Sequence, residues 1–195
     1  MNEVLSKMDP NTIIPAIFTL LGTLLGTVLG WLLNTVSRSG KLHIYPEWED
    51  SFLQQDGYGG EKESKNIKEA YHFKYSLYLD IYNSSANTKI MRNIEIAFYR
   101  RGNELFRVTP KDVSTRRREG RFRIVDNVSL LNIPGKTVEA IKWIGGLPKE
   151  DIRFSELWKA NKIFLIYRND KNMEKKILIK KDFNRYVENA VDKEK

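Results

Sequence analysis

The chain has 195 residues, of which 41% are hydrophobic and 11% aromatic, so it can form one ordinary domain with a real core, and wholesale disorder is excluded. It contains no cysteine, which excludes disulfides, thiolate metal sites and cysteine nucleophiles. The formal net charge is +8, and residues 41–195 carry all of it. The abundance of Lys, Ile and Asn favours an AT-rich genome, such as that of a bacterium or its phage.

After a short N-terminal tail, residues 1–11, the first element is an uncharged run at residues 12–36. A bilayer core needs about 20 apolar residues in a helix. The run is too long for a signal-peptide core, and no small-residue cleavage site follows it. It also lacks the polar side of a buried core helix and the charges of a surface helix. The sequence therefore predicts an uncleaved transmembrane helix in the cell membrane, crossing it once.

Small and polar residues recur every fourth position within this run, so they share one helix face. Such a face lets two helices approach closely in lipid, and hydroxyl or amide groups can bond across the contact. The alternative is that Gly and Thr are simply common in transmembrane helices. We predict a homo-oligomer formed through this helix-association face, which consists of Thr19, Gly22, Thr23, Gly26, Thr27, Gly30 and Asn34.

The charges that flank the run suggest its orientation. Arg38 and Lys41 follow it, whereas Lys7 precedes it beside two acidic residues. The positive-inside rule then places the following domain in the cytoplasm, although the difference is only one charge.

Residues 37–68 are predicted to form a juxtamembrane strand at 41–45 that ends at Pro46, followed by an acidic loop. The dipeptides Asp56-Gly57 and Gly59-Gly60 are turn signals within that loop.

Residues 69–182 should form the main part of a β-domain. From Tyr71 to Tyr82, every second residue is apolar or aromatic over six repeats, and this alternation predicts a long half-buried strand. An Asn-rich turn and an Ile-rich strand follow at 83–98. This pair of strands resembles segments of many membrane-anchored bacterial β-sandwich proteins, without indicating one family. Further strands are predicted at 104–108, 122–125, 128–133, 138–143, 163–168 and 175–181.

Gly145-Gly146 is read as a break after the strand at 138–143, and Ser155 as the cap of a short helix. Helical spacing of apolar residues predicts a short amphipathic helix at 183–195. Seven to nine strands with turns between them predict a mainly β fold: an antiparallel β-sandwich, with an Ig-like arrangement as one form.

The sequence has no catalytic or metal-binding pattern. His43 and His72 lack a second ligand at metal spacing, and the acidic residues 47–63 do not match a Ca²⁺ loop. No phosphate-binding glycine loop or nucleophile elbow is present. The sequence therefore predicts no catalytic site, no cofactor and no metal, and the protein is not expected to be an enzyme.

A run of arginines is the candidate site for an anionic partner, and it consists of Arg116, Arg117, Arg118, Arg121 and Arg123. Arginine forks onto phosphates and carboxylates. Its candidate targets are anionic lipid headgroups, the acidic residues 47–63 of a neighbouring copy, and nucleic acid. Nucleic acid is disfavoured because one short cluster lacks an aromatic stacking platform. Alternatively, the charges only discourage aggregation at a strand edge.

These features predict a non-enzymatic membrane-anchored binding or assembly protein whose β-sandwich recognises an unknown protein partner at the lipid bilayer. The alternative is an oligomerising effector of bacterial or phage origin, in which the helix perturbs the membrane and the β-sandwich acts as a sensor.

Overall fold

The computed structural model describes residues 10–64 and 69–183 of the chain. The chain divides into two compact units, Met1–Lys41 and Leu42–Lys195.

The first unit is the helix α1, Pro10–Arg38. Its stretch Ile13–Arg38 is long and apolar enough to cross a membrane. Its large apolar side chains are exposed: Phe18 has 70% of its surface accessible and Leu33 71%. The predicted apolar helix is therefore present, and it extends two residues beyond each predicted end.

The second unit is built from twelve strands among the described residues. They are β1 Leu42–Gln55, β2 Glu61–Glu63, β3 His72–Asn83, β4 Lys89–Arg100, β5 Asn103–Val108, β6 Lys111–Asp112, β7 Arg117–Glu119, β8 Phe122–Ile124, β9 Leu130–Ile133, β10 Val138–Pro148, β11 Lys162–Arg168 and β12 Glu174–Lys181. A short helix, α2, spans Phe154–Leu157. All strand pairs are antiparallel.

Two five-stranded sheets and one separate hairpin make up the unit. The first sheet has the order β2-β1-β3-β10-β6. The second has the order β12-β11-β4-β5, and β9 also pairs with β4. The pair β7-β8 stands apart from both sheets.

Strand β1 corrects the prediction for residues 37–68. It does not end at Pro46 but continues to Gln55, so residues 47–55 of the predicted acidic loop are strand, as are residues 61–63, which form β2. Pro46 lies opposite Leu79 of β3, and β2 pairs with β1 only from Leu53 onward. Pro46 therefore occupies an edge position, where its missing N–H costs no ladder hydrogen bond.

The alternation predicted for β3 is confirmed. Its buried residues follow a period of two and point toward the second sheet: Phe73, Tyr75, Leu77, Leu79 and Ile81. Aromatic rings join the sheets across the core, since Phe98 of β4 meets Phe73 edge-on at a centroid distance of 6.3 Å and Trp48 of β1 at 6.4 Å.

Two loops close one end of the first sheet. The buried Asn83 side-chain amide donates to the carbonyls of Asn87, Ile133 and Pro134, at 2.8, 3.0 and 3.0 Å. Gly135 lies so close to this turn that a Cβ there would meet the Ala86 carbonyl oxygen at 2.1 Å. The predicted Asn-rich turn and the loop at Pro134-Gly135 thus form one hydrogen-bonded unit.

Two further predictions were wrong. Gly145-Gly146 does not break a strand but lies inside β10, with Gly145 opposite Tyr75. Ser155 does not cap α2 but lies within it, and its hydroxyl donates to the Ile152 carbonyl at 2.8 Å. The mainly β, antiparallel class is confirmed. Apart from Phe183, the predicted helix at 183–195 lies outside the described residues.

Candidate functional site

The arginine cluster folds into a two-stranded hairpin, residues 116–124, which we call the arginine hairpin. Its base is fixed by a 3-10 turn at Val113–Thr115, where the Asp112 carboxylate accepts the Ser114 N–H at 2.9 Å. The Thr115 hydroxyl donates to the Asp112 carbonyl at 2.7 Å and accepts the Asp126 N–H at 2.9 Å. Both arms of the hairpin are therefore tied together where they leave the domain.

Register decides which arginines share a face. Strand β7 pairs with β8 through Arg117 and Ile124, Arg118 and Arg123, and Glu119 and Phe122. Gly120 begins the two-residue loop with φ +59, a conformation that glycine adopts without steric cost. Because opposed residues point to the same side, the hairpin has two chemically different faces.

One face is internally neutralised, and we call it the paired face. The Arg117 guanidinium binds Glu119 at 2.9 Å and Asp126 at 2.5 Å. These hydrogen bonds, chiefly the one to Asp126, raise the pKa of Arg117. The same face presents Phe122, whose side chain is 75% exposed.

The other face carries Arg118 directly opposite Arg123, and we call it the bare face. Opposed residues have Cβ atoms about 5 Å apart, and like charges there repel. The Arg118 Nε donates to the Gly120 carbonyl at 3.0 Å, which orients the fork. Within residues 10–64 and 69–183, neither guanidinium makes an ion pair. Arg116 and Arg121 are likewise exposed, at the base and the tip.

The helix-association face is open on α1. Cβ atoms added at Gly22, Gly26 or Gly30 would meet nothing within 4 Å. The Thr23 and Thr27 hydroxyls donate to the carbonyls of Thr19 and Thr23, each at 2.8 Å. These protons serve the helix itself, so the hydroxyls are left to act across a contact as acceptors.

The two histidines lie apart on neighbouring strands. His43 stacks on Tyr82 at a centroid distance of 5.9 Å. His72 borders a groove of about 780 Å³ on the outer face of the first sheet. Burial, followed by the nearby charge of Lys74, lowers the pKa of His72. Among the described residues, no three His, Asp or Glu side chains converge as metal ligands would.

Sequence reasoning missed a charged cluster on the outer face of the second sheet. Arg107 binds Glu104 at 2.6 Å, Glu95 at 3.1 Å and Glu174 at 3.3 Å. The Tyr99 hydroxyl donates to Glu104 at 2.5 Å, and burial together with this bond raises the pKa of Tyr99 to about 12. Only the Glu104 and Arg107 spacing was visible in the sequence, because the other partners come from separate strands.

An ion pair with a buried carboxylate was also missed. Asp50, 1% exposed at its side chain, accepts from Lys180 at 2.5 Å and from the Trp48 indole at 2.6 Å. Asp56 accepts from the Tyr58 and Gly60 N–H groups, and Glu61 pairs with Lys74. Three of the six acidic residues in 47–63 therefore have partners within the same chain.

Comparison with known proteins places this domain. The model of the YopI Ig-like domain matches residues 40–180. This chain belongs to that family. The Ig-like arrangement of the predicted β-sandwich is thereby confirmed, and the match covers the arginine hairpin.

One relative in the family is the SPbeta prophage-derived uncharacterized protein YopI of Bacillus subtilis strain 168. It is 25% identical over 136 residues, which are 69% of this chain and 76% of that protein. A crystal structure named for ApaA of Bordetella pertussis aligns with 72% of this chain and 89% of its own, at 8% identity and a TM-score of 0.36. That likeness is too weak to support an argument about function.

Proposed function

We propose that this chain is a non-enzymatic, single-pass membrane protein whose YopI Ig-like domain binds a partner at the membrane surface. The observation that carries the proposal is α1, in which 26 residues are apolar enough to cross a membrane while large side chains such as Phe18 and Leu33 stay uncovered. Such a surface is costly in water and favourable in lipid.

Membrane anchoring would help the domain to bind. Confinement to two dimensions raises the effective concentration of a partner at the same surface, so modest contacts suffice. The arginine hairpin is the element we assign to recognition, because its bare face has no counter-charge among the described residues. Arg38 and Lys41 favour a cytoplasmic domain.

Carbonate extraction tests the anchor. The full chain should stay in the membrane fraction, while a chain beginning at Lys41 should be released. Release of the full chain would refute the proposal. A reporter at Lys195 that is active only after export would reverse the orientation and leave the anchor intact.

A second function is favoured by one observation, the open glycine face of α1. Here the helix is the active part, and a bundle formed through Gly22, Gly26 and Gly30 perturbs the bilayer while the Ig-like domain senses a signal. Gly26→Ile should weaken self-association in a membrane two-hybrid assay, because a branched side chain holds the facing backbone away.

The matched control is Leu25→Ile, which lies off this face and should keep the signal. Equal signals from both variants would remove the oligomer. Dye leakage caused by the expressed helix would favour the effector over the tether, whereas harmless membrane localisation would favour the tether.

A further inference from the structure

The two faces of the arginine hairpin form an internal comparison. On the paired face Arg117 has two carboxylates at 2.9 and 2.5 Å. On the bare face Arg118 and Arg123 oppose each other without such a partner among the described residues. A like-charge pair across a hairpin is destabilising unless an anion lies between the charges. Among the described residues, the paired face therefore supplies carboxylates to its arginine, whereas the bare face supplies none.

The geometry of the bare face fits a phosphate. Two guanidinium groups from opposed positions can approach one tetrahedral anion from both sides, and each can donate two N–H bonds. The Gly120 carbonyl holds the Arg118 Nε at 3.0 Å, so the terminal nitrogens of that fork remain to donate outward. A hydrogen-bonded fork loses less freedom when it binds.

The neighbouring side chains favour a lipid source for that phosphate. Phe122, 75% exposed, precedes Arg123 in sequence and points to the paired face, next to the two-residue loop at the hairpin tip. A hairpin tip with an exposed ring on one face and arginines on the other suits a bilayer interface entered tip first, where the ring enters the boundary region and the cations meet headgroups. A single ring offers no platform for successive bases. The acidic stretch 47–63 is a poorer partner, because Asp50, Asp56 and Glu61 are already bonded within the chain.

We propose that Arg118 and Arg123 bind the phosphate of anionic phospholipids, with Phe122, on the other face of the same hairpin tip, resting in the interface. This inference rests on the proposed membrane anchoring and names the partner of the arginine hairpin. Lipid contact would hold the Ig-like domain against an anionic surface and release it where that charge is low.

The absence of cysteine allows a site-specific test on the full chain. Arg121→Cys, labelled with an environment-sensitive fluorophore, reports on the hairpin tip and keeps Arg118, Phe122 and Arg123. The chain is reconstituted in lipid nanodiscs, either of phosphatidylcholine alone or of equal parts phosphatidylcholine and phosphatidylglycerol. The probe should shift to the blue only in the anionic discs, and lipids that carry a quencher near the headgroup should quench it.

Arg118→Gln with Arg123→Gln should weaken this response about fivefold for each arginine, which corresponds to the roughly 1 kcal/mol that a basic residue gains near an anionic surface. The matched control is Arg100→Gln with Arg101→Gln, an equal charge change at exposed positions at the end of β4 and in the turn after it, and it should keep the response. Raising the salt concentration should abolish the response of the unsubstituted arginines, a measurement that needs no folded variant.

Each remaining outcome decides against the inference. A chain that enters both kinds of disc without a probe shift would overturn lipid binding and leave the anchor standing. Failure to enter any disc would remove the anchor and the inference together. Equal loss in the control pair would reduce the effect to net charge, and a larger shift with RNA or duplex DNA in neutral discs would assign the hairpin to nucleic acid.

Discussion

The two compact units of this chain treat their apolar side chains in opposite ways. In the Ig-like domain Phe73 and Phe98 are completely buried. On α1, Phe18 and Leu33 expose 70% and 71% of their surface. The apolar side chains of each sheet of the domain are buried against the other sheet, whereas no other described residues bury the apolar side chains of α1. The contrast teaches that the domain can be stable in water, while the helix calls for another apolar phase.

The largest expected effect is a loss of stability of the Ig-like domain. Phe98→Ala should lower the free energy of unfolding by about 3–5 kcal/mol, because a buried ring is replaced by a cavity between the sheets. Phe98 meets Phe73, Phe106 and Phe183 as well as Trp48, so the loss reaches both sheets. Urea unfolding measures the change. Phe122→Ala, the same replacement at an exposed position, should change it little; similar losses for both would contradict the assigned core.

The second-largest expected effect is a loss of membrane insertion by α1. Leu24→Lys should make membrane insertion about 3–4 kcal/mol less favourable, because a lysine replaces an apolar residue near the centre of the span. The membrane-bound fraction after carbonate extraction checks this. Tyr58→Lys, which puts the same charge on a fully exposed position of the domain, should leave that fraction unchanged. An unaltered fraction in Leu24→Lys would mean that α1 does not insert.

Much of this architecture was predictable, because periodicity is a local property. The uncharged run and the alternation through β3 are both visible within one segment, and the structure has an apolar helix at the first and a half-buried strand at the second. The error at β1 has a physical cause: Pro46 usually ends a strand, but an edge position removes the penalty. The error at Gly145 has another, since the ring of Tyr75 covers this glycine from the neighbouring strand.

The candidate site was predictable only as a composition. Five arginines within residues 116–123 were evident, but not that register separates Arg117 from Arg118 and Arg123. The turn at Gly120 sets the register of the hairpin and so decides which arginines share a face. A shift of one residue in the strand pairing would move each side chain to the opposite face. Most of the Arg107 cluster could not be predicted, because Glu95 and Glu174 reach Arg107 only when separate strands pair.

A smaller loss of stability is expected where two loops of the domain pack closely at Gly135. Gly135→Ala should cost about 1–3 kcal/mol of stability, because its Cβ would overlap backbone atoms of Ala86 and force two loops apart. The matched control is Gly57→Ala, whose Cβ would meet nothing within 4 Å and should be nearly neutral. Thermal unfolding of both variants gives the comparison. Equal midpoints would mean that the turn at Asn83 does not pack against Gly135.

The smallest expected effect is a pH dependence of the stability of the Ig-like domain that the membrane insertion of α1 does not share. Burial lowers the pKa of His72 below 6.5, and Lys74 lowers it further, while Glu61 and Glu150 act in the opposite direction. As the pH falls below 6.5, the unfolded imidazole takes up a proton before the folded one does. The stability of the domain should therefore fall from that pH downward and level off below the folded pKa of His72.

Carboxylates whose pKa is lowered in the folded domain, such as Glu104, reduce its stability only below pH 4.5, the ordinary pKa of glutamate. Between pH 4.5 and 6.5, a change in the stability of the domain is therefore assigned to His72. Urea unfolding at several pH values within that window should show a small slope that His72→Gln removes and His43→Gln keeps. Lys74→Gln should raise the pKa of His72, as read by NMR titration. Helix α1 has only Arg38 as an ionisable residue, so membrane partition should stay constant over the same range. A partition that followed the domain's pH dependence would mean that the domain, and not α1 alone, determines membrane attachment.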